Sequence, residues 1–179
     1  ALASNVPLDF SIGGGDILVE GRAAQPGRET IQVFSAAVDD RYFATLDTPI
    51  RNGRAFTAHD TADAPAVAMV NETLAATAWP GLNPIGRRIR FSGDAEAPWL
   101  EVVGVSADGK YRQLTESPRP FAWTALAQQK GATNATLVVQ TDRDLAQAMA
   151  AVQRAVSGID PTVPVYDVKT MEAFMERAY

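Results

Sequence analysis

Ala66-Val67-Ala68-Met69-Val70-Asn71-Glu72-Thr73-Leu74-Ala75-Ala76-Thr77-Ala78-Trp79-Pro80-Gly81 decides how this chain is built. A short apolar run ends at Asn71, whose side-chain oxygen can accept from the unpaired backbone N–H groups of a following helix, Glu72 to Trp79. Pro80-Gly81 stops that helix, because proline lacks the N–H needed to continue it and glycine tolerates a left-handed turn. Downstream, Asn83-Pro84-Ile85-Gly86 forms a loop before Arg87-Arg88-Ile89-Arg90-Phe91. Ile89 and Phe91 share one face of that run and Arg88 and Arg90 the other, the pattern of a half-buried strand. Trp99 to Val105 is richer in apolar residues and is expected to lie centrally in a sheet, paired with Arg87 to Phe91 across the Ser92 to Pro98 loop.

Towards the N-terminus, Asp16 to Gly21 and Glu29 to Val38 alternate apolar and polar residues, which predicts two strands. The intervening stretch carries Gln25-Pro26-Gly27 and predicts a hairpin turn. Asp39 is a candidate cap for a short helix over Asp40 to Leu46, with Tyr42, Phe43 and Leu46 spaced to face a core. Pro49, Asn52-Gly53, Arg54, Phe56, His59 and Asp60 then read as an ordered loop. Towards the C-terminus, Phe121 to Leu126 and Thr136 to Thr141 predict strands. Leu145, Met149, Val152 and Val156 recur at helical spacing, with Asp142 or Asp144 as cap and Gly158 at the end. Pro164 to Val168 predicts a strand, and Thr170 caps a terminal helix from Met171 to Tyr179.

These elements define an α+β fold with two lobes. The strand-helix-strand-helix tail has two strands of its own and is expected to complete its sheet with the opening segment, so residues 1–8 plus 135–179 form one lobe from both chain ends. Residues 9–134 form an inserted, mostly-β lobe with short helices.

The chain has 179 residues, 46% hydrophobic and 21% charged, enough apolar material for a packed core. Its net charge of -5 opposes phosphate backbones, so nucleic acid is not an expected partner. It contains no cysteine, which excludes disulfides, thiolate nucleophiles and Cys-ligated zinc. No apolar run approaches the roughly 18 to 20 residues of a membrane span. The first residue is Ala1 and not Met, which suggests a fragment of a longer protein.

His59 is the only histidine and would have to be the base of any Ser-His or Cys-His mechanism. It sits in a loop beside Asp60, and no Gly-x-Ser-x-Gly elbow supplies a nucleophile. Asp39-Asp40 and His59-Asp60-Thr61-Ala62-Asp63 offer oxygens without the spacing of a calcium loop. Gly13-Gly14-Gly15 lacks the Gly-Lys-Ser/Thr of a phosphate loop and reads as a flexible lead-in to a strand. Arg87-Arg88-Ile89-Arg90 is a candidate grip for an anionic partner, although alternation also makes it an ordinary solvated strand face. Trp79, Trp99 and Trp123 lie in or beside apolar segments and are expected in the core. Catalytic, cofactor-binding and metal sites are all read as none, and the chain as no enzyme.

The run Val38-Asp39-Asp40-Arg41-Tyr42-Phe43-Ala44-Thr45-Leu46, continuing through Pro49 to Gly53-Arg54-Ala55-Phe56 and Asp60, resembles the signature of the MacB-like periplasmic core domain. Val67 to Ala75, Trp79-Pro80-Gly81 and Asn83-Pro84-Ile85-Gly86-Arg87-Arg88-Ile89 are similar to further blocks of that family in the same order. Glu101-Val102-Val103-Gly104-Val105 with Asp108, and Glu116-Ser117-Pro118-Arg119-Pro120, continue the resemblance, which spans roughly Val38 to Val168. The order of blocks is most similar to the orphan or duplicated permeases of the MacB/FtsX group. The resemblance implies a domain outside the cytoplasmic membrane, between the first two transmembrane helices of an ABC-transporter permease, with a porter-like βαβ lobe and an inserted lobe.

It implies as partners a cytoplasmic ATP-binding subunit reached through the membrane helices, a second permease copy and a periplasmic adaptor protein. It implies no cofactor and no catalysis in this domain, whose role would be contact and transmission of motion. The alternative is a periplasmic module that binds a small molecule or peptide in the cleft between lobes. On this resemblance, the family's first porter helix and strand would precede Ala1. Arg54 and Asp60 are expected to pair and brace their loop.

Overall fold

The computed structural model describes residues 1–9, 12–22, 29–93, 95–129, 131, 135–142 and 144–176. The elements in chain order are β1 (Leu2–Ala3), β2 (Gly14–Val19), β3 (Ile31–Val38), α1 (Tyr42–Thr45), β4 (Ile50–Gly53), β5 (Val67–Asn71), α2 (Glu72–Ala78), β6 (Arg88–Phe91), β7 (Leu100–Ser106), β8 (Phe121–Ala125), β9 (Thr136–Leu137), α3 (Leu145–Ile159) and α4 (Met171–Met175). This is the mixed α+β class that the patterning predicts. The chain divides into two compact units, Ala1–Val138 and Val139–Tyr179.

In the first unit every residue of β5 is buried, which is why Val67 to Val70 read as an apolar run with no alternation before Asn71. It pairs parallel with β7 and antiparallel with β8. β7 pairs antiparallel with β6, and β6 with β2. On the other side β8 runs parallel to β3, and β3 pairs antiparallel with β2. The pairings therefore return to their starting strand, and six strands close into a ring. Ile17, Ile31, Val70, Ile89, Val102 and Ala122, one from each of the six, meet in a single buried cluster. Only the inside of a ring can gather side chains from all of its strands. Leu74, Ala78 and Trp79, in and just after α2, join the same cluster. Side chains of the opposite parity, such as Val38, Met69 and Trp123, form a second core with Tyr42, Phe43, Phe56 and Tyr111. β4 hangs on β7, while β1 extends from β3 and carries β9 antiparallel.

Several local expectations change. Residues 47–65 are not wholly loop: β4 lies among them, hidden because Asn52-Gly53 reads as turn chemistry although Gly53 pairs with Gly104. Asp39 does not cap α1, whose first turn has no side-chain cap. Its carboxylate accepts from Leu2 N at 2.8 Å and Arg41 N at 3.2 Å, tying β1 to the entry of the helix. Gly14 and Gly15 belong to β2 and are no flexible lead-in; a Cβ at Gly14 would stand 2.6 Å from Val33 O, so close pairing with β3 requires glycine there. The expected strand Thr136 to Thr141 shrinks to the two residues of β9. The β2–β3 hairpin forms, and its Gln25-Pro26-Gly27 turn lies outside the described residues.

In the second unit Asp144 caps α3, accepting from Ala146 N at 2.9 Å and Gln147 N at 3.3 Å. Gly158 is the penultimate residue of the helix, in its last turn, as expected. Pro164 to Val168 forms no strand. Pro164 has no N–H to give a ladder, and Asp167 sits at φ 54°, a left-handed conformation that breaks an extended run. Thr170 caps α4, accepting from Ala173 N at 3.1 Å; the last three residues expected in that helix lie outside the described ones. Among the described residues, no helix is long and apolar enough to cross a membrane.

Candidate functional site

Where β5 passes into α2, Asn71 is completely buried and makes four hydrogen bonds. Its Oδ1 accepts from Leu74 N at 3.0 Å, the helix cap that the sequence predicts, and also from Phe121 N at 2.9 Å at the start of β8. Its Nδ2 donates to Arg119 O at 2.7 Å and to Tyr111 Oη at 3.4 Å. One amide thus joins β5, α2, β8 and the 107–120 segment, using both its acceptor and its donor capacity in a place water does not reach. Burial raises the pKa of the Tyr111 phenol above its usual range, so that ring stays neutral.

Around this point further polar side chains fix the loops. Asp108 accepts from Thr73 N at 3.0 Å and Thr73 Oγ1 at 2.7 Å, docking the loop after β7 onto the first turn of α2. Glu116, with its side chain 4% exposed, accepts from Tyr111 N and from Arg112 N, and its backbone oxygen receives Lys110 Nζ. Arg54 and Asp60 form the expected pair as a two-pronged contact, Nη1 to Oδ2 at 2.8 Å and Nη2 to Oδ1 at 2.9 Å. Thr57 N adds a third bond to Asp60 at 2.7 Å. The Arg54 bond, more than the others, holds the Asp60 carboxyl below its usual pKa, so it is ionised at neutral pH. At the bottom of this loop a Cβ on Gly104 would stand 2.0 Å from Arg54 O, and one on Gly53, already at φ 71°, 2.2 Å from Val103 O.

The residues considered for chemistry are dispersed. His59 is exposed, and its backbone N–H donates to Thr57 Oγ1 at 3.3 Å, while the neighbouring Asp60 carboxylate faces Arg54. The arginines of the 87–90 run find local partners. Arg87 Nε donates to Asn83 O at 2.8 Å, Arg88 pairs with Glu20, and Arg90 stacks over Trp99 at 5.0 Å from the ring centroid. Trp79 and Trp123 are buried and Trp99 is half-buried. Among the described residues no group of three His, Cys, Asp or Glu side chains could hold a metal ion. The hub at Asn71 was legible only as a helix cap, because its other partners are 40 to 50 residues away.

A family model described as the MacB-like periplasmic core domain matches residues 8–155. The chain belongs to that family. It is therefore a periplasmic or extracellular domain of a MacB-type ABC-transporter permease. The structure of the periplasmic region of MacB from Actinobacillus actinomycetemcomitans is similar, with a TM-score of 0.61 at 14% identity over 89% of this chain and 66% of that one. The extracellular domain of the noncanonic ABC-type transporter YknZ from Gram-positive bacteria gives a TM-score of 0.55 at 13% identity over 82% of this chain and 73% of that one. The MacB-like chain thus spans about two thirds of the length of the first of these structures and somewhat more of the second. Among curated protein sequences none matches significantly.

Proposed function

We propose that this MacB-like domain acts on the outer side of the membrane as a contact and motion-transmitting element of its permease, without catalysis of its own. The driving energy would come from ATP hydrolysed by a cytoplasmic subunit coupled through the permease's membrane helices. A second permease copy and a periplasmic adaptor protein are the proposed outer partners. The observation that carries the reading is the Asn71 hub: polar landmarks that an enzyme would present to a substrate here hold strands and loops to one another. In this reading the braced ring is displaced as one body against residues 139–179, passing motion on without absorbing it. The division into a porter-like lobe of residues 1–8 plus 135–179 and an inserted lobe of residues 9–134 belongs to the same proposal. β1 pairs with β9 on one side, as that lobe requires, and with β3 of the inserted lobe on the other.

The test uses the parent permease with its ATP-binding subunit in lipid. Because this chain has no cysteine, cysteines introduced at the exposed Thr115 and Ser157 label specifically within it. The spin-spin distance between them should change when the transporter is trapped in its ATP-bound state. Identical distance distributions with and without nucleotide would rule out transmission through this domain.

A further inference from the structure

Two guanidiniums converge on one ring. Arg112 Cζ lies 5.8 Å and Arg119 Cζ 5.7 Å from the centroid of the half-buried Phe34 in β3. Both arginines belong to the segment that returns from β7 to β8, and they meet Phe34 where β2 begins. There Gly14 has no side chain to cover the ring: a Cβ at that position would be 3.5 Å from Phe34 Cδ1 and in collision with Val33 O. The result is a groove of about 360 Å³, open to solvent, lined by Gly14, Asp16, Phe34, Arg112, Arg119 and Pro120 among others.

Among the described residues a single ion pair reaches these two cations, that of Arg119 with Glu116. Glu116 is buried, with one carboxylate oxygen taken by the N–H groups of Tyr111 and Arg112. Its other oxygen lies 3.5 Å from Arg119 Nε, leaving the Arg119 side chain 54% exposed. Among the described residues no carboxylate forms an ion pair with Arg112, which is exposed. The backbone that carries Arg119 is fixed, since Arg119 O accepts from buried Asn71 and Pro120 O accepts from Phe34 N at 3.0 Å. Two guanidiniums therefore stand beside one aromatic face, Arg112 without an ion-pair partner among the described residues and Arg119 half exposed, and such planar donors receive a carboxylate in two-pronged geometry.

We infer that this groove docks an acidic segment of a partner protein, with one Asp or Glu carboxylate held between Arg112 and Arg119 and the adjoining residue resting on Phe34. A protein segment fits better than a free small molecule, because small-ligand sites enclose most of their ligand and this groove is open to solvent. Asp16 in the same lining disfavours a second carboxylate and favours a neutral or basic neighbour. The inference gives a chemistry to the partner contact proposed above and rests on that role.

The test follows the backbone amide chemical shifts of the isotope-labelled chain during titration, to millimolar concentration, with the capped peptide Gly-Glu-Ala-Lys-Gly. A twin carrying Gln in place of Glu, and free glutarate, serve as controls. Saturable shifts are expected at Gly14, Gly15, Phe34, Arg112 and Arg119, with the Gln twin at least tenfold weaker. Arg112→Gln and Arg119→Gln should each weaken the peptide several-fold, while Arg87→Gln leaves it unchanged. Shifts that ignore the Gln exchange, or that weaken as much with Arg87→Gln, would overturn the site. Glutarate binding as tightly as the peptide would overturn the choice of a protein segment. Peptide binding with fixed spin-label distances would remove motion transfer and leave this site standing; moving labels with no binding would do the reverse.

Discussion

Replacing Asn71 with alanine strands three backbone groups at once. The Leu74 N–H loses its helix cap, a loss of about 1 kcal/mol in comparable helices. The Phe121 N–H and the Arg119 carbonyl lose their partners inside the protein, and each unsatisfied buried group costs about 1–3 kcal/mol. The Arg119 carbonyl is only partly buried and recovers some of this from water, which puts the sum at about 3–5 kcal/mol. Set against a total stability of about 5–15 kcal/mol, that is enough to leave the domain marginal. Urea unfolding followed by tryptophan fluorescence should show the midpoint falling with an unchanged slope, since the surface exposed on unfolding is nearly the same. Asn71→Ser separates the contributions, because its hydroxyl can still cap Leu74 but is too short to serve the other two groups. It should recover about 1 kcal/mol relative to Asn71→Ala and no more. A loss below about 1 kcal/mol for Asn71→Ala would show that the hub is a helix cap and nothing further.

Gly104→Ala forces a methyl to within 2.0 Å of Arg54 O and 2.9 Å of Met69 Cε, and should cost at least about 1–3 kcal/mol in urea unfolding. Gly93→Ala, with open space around it, should leave the midpoint in place; equal effects would contradict the close approach. Arg54→Ala leaves Asp60 without its main partner and should lower stability at neutral pH by about 1–2 kcal/mol, reduced from the buried-pair value because Arg54 is half exposed. The folded pKa of Asp60 lies below its unfolded value, so its contribution is fully present above about pH 4 and is lost as pH falls through the lower folded value. The variant should lose that acid-side dependence. Parallel stability-pH curves for the two proteins would refute the assignment.

The parts of this fold that were legible are those written in neighbouring residues. Asn71 before Glu72, Asp144 before Leu145 and Thr170 before Met171 are caps whose donors lie two or three positions away. The alternation of Ile89 and Phe91 with Arg88 and Arg90 shows a strand because its faces meet different surroundings. Ring closure was not legible, because it depends on β3 pairing parallel with β8 across more than eighty residues, and period-2 patterning does not name a partner. β4 was masked for the opposite reason: Asn52-Gly53 has strong local turn chemistry, and the pairing of Gly53 with Gly104 overrides it. The Phe34 groove left no pattern either. Its two arginines, its aromatic ring and its bare Gly14 come from three separate segments, and each alone reads as an ordinary surface residue.

The place of β8 between β3 and β5 sets a timetable for the newly made chain. Until Phe121–Ala125 has been synthesised, the wall has a gap at its middle, and Asn71 lacks the amide that it meets 50 residues later. Without that strand the ring cannot close, and contacts so distant along a chain form slowly. Closure of the wall therefore waits on the arrival of this late strand, which sets the order in which the newly made chain can gain its rigidity.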